Sequence, residues 1–86
     1  MLRIGYKPAF IRQFKKLPPP LQDEVEERIA LFRENPKNPS LRVHKLKGAL
    51  AGRWSFSVNY AYRIVFVYET KGTAGLLAVG DHAVYG

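Results

Sequence analysis

Two histidines and one out-of-place arginine carry most of the chemistry open to these 86 residues. His82 follows Gly80-Asp81, where a last apolar run ends, and an imidazole at a sheet rim can take or give a proton near neutral pH. Arg63 interrupts the run Tyr62-Arg63-Ile64-Val65-Phe66-Val67-Tyr68, which is otherwise apolar on both parities. A cation held there can stabilise charge that develops in a transition state. Tyr85 can stack on a base or donate to a phosphate oxygen. His44, Lys45, Lys47 and Arg53 gather around Gly48 and Gly52 as a basic lip whose glycines let backbone approach a ligand. Each residue also has a plainer reading. His82 can be a surface histidine bonded to Asp81 or to a backbone carbonyl, and Arg63 can reach out of the sheet to Glu69 or Asp81. Tyr85 can be a packed anchor, and the lip can be a solvated loop.

Taken together, these groups suit cleavage of RNA without a metal. That reaction turns a 2′-hydroxyl onto the adjacent phosphate and needs a proton acceptor, a proton donor to the leaving 5′ oxygen, and cations against the charged transition state. Other chemistries lack their parts. There is no His-x₃-His or Glu-x-x-His spacing, and with no cysteine there is neither a disulfide nor a Cys-based zinc site. Ser40, Ser55 and Ser57 stand in no nucleophile motif, and Gly48-x₃-Gly52 lacks the lysine and helix of a phosphate loop. No metal and no cofactor is implied.

The net charge of +7 understates the asymmetry, because Asp23, Glu24, Glu26, Glu27 and Glu34 lie within one segment. Outside residues 23–34 twelve basic residues face two acids, which leaves +10. Such a balance points to a polyanion or an acidic protein as partner, and otherwise to a solubilising surface. No apolar run approaches the roughly 18 residues of a membrane span. The opening MLRIGYKPAF lacks the apolar segment of a signal peptide, so the expected compartment is the cytoplasm.

Residues 1–86 are expected to form a single domain with one small core. Leu2–Tyr6 alternates as a short strand. Pro8 suits the first turn of a basic amphipathic helix of about nine residues that buries Phe10, Phe14 and Leu17. Pro18-Pro19-Pro20 breaks it, and Pro20 opens a second helix with the stripe Leu21, Val25, Ile29 and Phe32. Asn35-Pro36 and Asn38-Pro39 end that helix. In Arg53–Tyr60 the alternation places Trp54, Phe56, Val58 and Tyr60 on a buried face and Arg53, Ser55, Ser57 and Asn59 on a wet one. A hairpin turn near 59–61 leads into a central strand over Tyr62–Tyr68, and Gly75–Gly80 makes the last strand. The order β-α-α-β-β-β predicts an α+β two-layer sandwich, an antiparallel sheet with a helical hairpin packed on one face and the first strand beside a non-sequential neighbour.

Three segments in this order carry a resemblance: His44-Lys45-Leu46-Lys47-Gly48, Tyr62-Arg63-Ile64-Val65-Phe66 and Gly80-Asp81-His82-Ala83-Val84-Tyr85. Over nearly its whole length the chain resembles the RelE/ParE superfamily of type II toxins, and most closely its RelE/StbE and YafQ-like branch. The resemblance implies a ribosome-dependent mRNA endonuclease, neutralised by a small antitoxin within a toxin–antitoxin hetero-oligomer. Its partners would be that antitoxin, the ribosome and mRNA, with no membrane. Arg63 matches the arginine that stabilises the scissile phosphate, Tyr85 the terminal catalytic aromatic, and His82 and His44 the histidines of YafQ-like members. Lys45, Lys47 and Arg53 would hold RNA backbone. The strand lysines of RelE-like members fall at about Trp54 and Phe56, and the stretch from His82 to Tyr85 is one residue shorter than in many relatives. The alternative within the superfamily is a ParE-like inhibitor of DNA gyrase without nuclease residues.

Overall fold

Prolines place both helices. The structure, a computed structural model, describes residues 1–81 together with Val84. After β1 (Arg3–Tyr6), the extended Lys7 leads into Pro8, the first residue of α1 (Pro8–Lys15). Pro18 is the N-cap of α2 (Pro19–Glu34), so Pro19 and Pro20 are its first two residues. Their missing N–H groups would have had no intrahelical partner anyway. The helix therefore opens one residue earlier than Pro20. Gln22 is half-buried; its Nε2 donates to the Phe14 carbonyl at 3.0 Å, which also accepts the Leu17 N–H, and so ties α2 to the end of α1.

The sheet follows as β2 (His44–Lys45), β3 (Trp54–Ser57), β4 (Arg63–Thr70) and β5 (Thr73–Gly80), in the spatial order β1-β5-β4-β3-β2. The α+β two-layer arrangement is as expected, with two refinements. β1 joins β5 in parallel, a non-sequential neighbour, so the sheet is mixed rather than wholly antiparallel. His44–Lys45 adds an edge strand antiparallel to β3. Among the described residues no helix is long and apolar enough to cross a membrane.

One face of the sheet carries the core. Val25, Ile29 and Phe32 of α2 and Phe10 of α1 pack with Phe56, Ile64, Phe66, Ala74 and Leu76. Phe32 stacks on Phe56 with centroids 4.5 Å apart and meets Phe66 at 4.8 Å, a shared aromatic centre. Truncating such a ring to alanine costs about 3–5 kcal/mol, a large part of the roughly 5–15 kcal/mol that holds a small domain folded. A bulge serves this core. Phe66 pairs with Leu76 but Val65 with Ala78, so Leu77 is an extra residue, and Leu76 and Val79 both turn toward the helices.

The wet face expected on β3 is not wet. Ser55 and Ser57 are 0% and 8% exposed, although both point away from the helices. Alternation distinguishes the two faces of a strand but does not say what lies over the second one. Tyr60, expected inside, is 94% exposed, because β3 ends at Ser57 and the alternation stops with it.

Candidate functional site

Five residues between Ser57 and Arg63 must reverse the chain, and Asn59 organises them. Its Oδ1 accepts the N–H groups of Ala61 and Tyr62, each at 2.9 Å, an Asx turn in which a side chain substitutes for backbone. Its Nδ2 donates to Glu24 Oε1 at 2.7 Å and ties the turn to α2. Its carbonyl accepts from Arg63 Nη1 at 2.6 Å, and the same nitrogen donates to the Tyr62 carbonyl at 3.2 Å. Among the described residues the cation is thus oriented by neutral oxygens, which do not cancel its charge. Glu69, one of the two acids considered as its partner, instead pairs with Lys7 at 3.3 Å. That ion pair lies over Gly75, where an added Cβ would stand 2.5 Å from Glu69 Oε1.

Strand register shows what Arg63 faces. Arg63 pairs with Ser57 on one side and Gly80 on the other, a row across the helix-free face. The next row on that face is His44, Ser55, Val65 and Ala78. With strands about 4.8 Å apart and same-face residues about 7 Å apart along a strand, His44 and Arg63 flank the buried serines of β3. Ser55 and Ser57, not Trp54 and Phe56, therefore share Arg63's face. Phe56 is buried against the helices, and Trp54, the other position where the resemblance places a strand lysine, lies on that same side.

His44 Nδ1 lies 2.8 Å from the Arg42 carbonyl. A carbonyl only accepts, so Nδ1 carries a proton in this bond, and in the neutral ring Nε2 is then the nitrogen with the lone pair that a proton acceptor requires. The basic lip is divided. Lys45 stands over the Trp54 ring, 5.4 Å from its centroid, on the helix side of the sheet. Lys47 and Arg53 are exposed in the loop closed by the Leu46 N–H to Arg53 carbonyl bond of 2.9 Å. Gly48 and Gly52 adopt φ of 67° and 90° with open space around them, so they serve backbone conformation rather than close approach of a neighbour. His82 and Tyr85 lie outside the described residues. Their neighbour Val84 rests on this face, where a Cβ added to Gly80 would meet its Cβ at 3.5 Å.

Nothing in the spacing of Arg28 sets it apart in the sequence from a solvated helix face. Its Nε donates to the Ser57 carbonyl at 3.1 Å and its Nη2 to the Ser40 carbonyl at 2.7 Å, joining α2, β3 and the turn Pro39–Leu41. Burial raises the Tyr68 phenol above its ordinary value. Tyr68 meets Trp54 edge-on at 5.2 Å, on the helix side and away from His44 and Arg63. Among the described residues no three of His, Asp and Glu converge as metal ligands would.

No protein-family model and no curated protein matches the chain. Solved structures do. YafQ from E. coli BL21(DE3) superposes with a TM-score of 0.79 at 16% identity, covering 99% of this chain and 98% of that one. The RelBE2 toxin–antitoxin complex of Mycobacterium tuberculosis gives 0.75 at 25% identity over 94% and 98% of the two chains. The YoeB-YefM complex of Staphylococcus aureus gives 0.74 at 19%, over 95% and 98%. These near-complete matches, which take in the mixed sheet and the paired helices, show that the chain has the fold of the YafQ, RelE and YoeB toxins.

Proposed function

We propose that the chain is the toxin of a type II toxin–antitoxin pair and cleaves mRNA on the ribosome, in the cytoplasm, by a metal-independent route. The observation that carries this reading is the placement of His44 and Arg63 on one helix-free face, where β5 also ends at Gly80 two residues before His82. A histidine accepts the proton of a substrate 2′-hydroxyl as its oxygen attacks the phosphorus. The bond to the 5′ oxygen breaks, a second protonated group supplies that oxygen's proton, and a 2′,3′-cyclic phosphate remains. His44, with Nε2 free to accept, fits the first role and His82 the second. Arg63 neutralises the charge that accumulates on the phosphate oxygens. Tyr85 assists from the same segment as His82, and Lys47, Arg53 and Lys45 supply outer contacts to RNA backbone.

RelBE2 and YoeB-YefM are both described as toxin–antitoxin complexes, which supports an antitoxin partner for this chain within a hetero-oligomer. The gyrase-inhibitor reading draws on one observation: the strand positions beside Arg63 are serines rather than lysines. Adding the protein to a translating extract and, separately, to gyrase with supercoiled DNA distinguishes the two. The nuclease reading expects message cut at discrete positions and no accumulation of cleaved DNA; the reverse pattern overturns it.

A further inference from the structure

Beyond the row through Arg63 lies a cleft of about 530 Å³ between α2, the turn Pro39–Leu41 and the β3–β4 turn. We infer that it is a second RNA subsite, in which Arg28 and Arg42 hold a phosphodiester next to the reacting one and Tyr60 stacks on the adjoining base. The inference rests on the nucleic-acid reading above and assigns residues that reading does not use.

Charge is the first argument. Arg28, Arg42 and Arg63 line the cleft against a single described carboxylate, Glu24, whose Oε1 already accepts from Asn59. Among the described residues the bonds of Arg28 run to the Ser57 carbonyl, the Ser40 hydroxyl and the Ser40 carbonyl, and those of Arg63 to two carbonyls. Neutral acceptors fix a guanidinium without cancelling its charge. The cleft is thus held positive by its own scaffold, as a site for an anion should be.

Backbone and ring exposure supply the second and third arguments. Among the described residues Arg42 is the one non-glycine at positive φ, 51°, a conformation L residues other than Asn and Asp seldom adopt. Such a residue persists where its surroundings hold it and marks a place to look for function. The Arg42 N–H to Pro39 carbonyl bond and the His44 contact to the Arg42 carbonyl hold it here. Tyr60, also lining the cleft, is 94% exposed, a large ring left in water beside three cations. Aromatic faces next to a positive groove are how proteins bind single strands with little regard to sequence. Continuity favours RNA over an acidic peptide: Arg63 belongs both to the cleft and to the row with Ser57 and Gly80, so a strand whose phosphate sits at Arg63 runs on into the cleft.

The test uses a short fluorescent single-stranded RNA that is 2′-O-methylated throughout and so resists the 2′-hydroxyl reaction. Its binding is followed by anisotropy over a salt series. Tyr60→Ala should weaken binding about tenfold, and Arg42→Gln should also lower the slope of log affinity against log salt by about 0.7. Lys15→Gln, on the exposed side of α1, should leave both unchanged. Arg42→Gly separates binding from folding, because glycine accepts the positive φ: it should melt no lower than wild type and still lose affinity. Wild-type affinity and slope in Arg42→Gln and Tyr60→Ala overturn the subsite. So does a loss confined to an acidic antitoxin peptide with oligonucleotide binding intact. A protein that binds through these residues but leaves unmodified message uncut keeps the subsite and defeats the nuclease reading. One that cuts message while both variants bind as wild type does the opposite.

Discussion

Arg63 donates to the backbone carbonyl of Asn59 at 2.6 Å, so the cation of β4 takes its direction from the turn that precedes it. The turn is in turn held by the Asn59 side chain, through two backbone N–H groups and Glu24. Asn59 is therefore a positioning residue for Arg63.

Asn59→Ala removes the acceptor for the Ala61 and Tyr62 N–H groups and the donor to Glu24. At about 1 kcal/mol net for each such bond, denaturant unfolding should show a loss of roughly 1–3 kcal/mol. The single-turnover rate at saturating RNA should also fall, with the affinity for the non-cleavable RNA nearly kept. A variant that loses stability but cleaves at the wild-type rate shows that the turn does not position the cation.

Arg28→Lys keeps a positive charge but loses the fork that reaches the Ser57 and Ser40 carbonyls together. Hydrogen bonds to a charged group are worth about 1.5–3 kcal/mol, and a lysine ammonium can recover one of them. A stability loss of about 1–2 kcal/mol in denaturant unfolding is expected. An unchanged midpoint would show that the staple between α2 and β3 contributes little.

An antitoxin masking this basic surface should bring acidic residues on a segment that orders as it binds. Its affinity should fall as salt rises, measured by titration calorimetry of the wild-type pair at several ionic strengths. Equal affinity at low and high salt counts against an electrostatic mask.

How far the sequence reveals this arrangement differs from residue to residue. The helix stripe Val25, Ile29, Phe32 is legible because burial and period coincide there, and the strand around Arg63 because it is an apolar run covered on both faces. Ser55 and Ser57 are not, since a strand's period says nothing of what covers its second face, and Val84 against Gly80 is a contact the period does not encode. Arg28 and Gln22 are hidden for another reason: their partners are backbone carbonyls, which every residue carries, so no pair of residue types betrays the bond. The division of the basic lip follows from a two-residue strand whose successive side chains point to opposite faces, His44 to one and Lys45 to the other. A run that short gives no periodic signal.

In the proposed reaction histidine and Arg63 act in the transition state of a metal-independent attack by a 2′-hydroxyl. The most direct test is single-turnover cleavage of ribosome-bound message by wild type, His82→Ala and Arg63→Ala, with the ends of the products identified. The expected products carry a 2′,3′-cyclic or 3′-phosphate end, and the expected rates are lowered by roughly 10²-fold or more in both variants while binding is kept. A folded His82→Ala protein that cleaves at the wild-type rate, or a product ending in a 3′-hydroxyl, would contradict it.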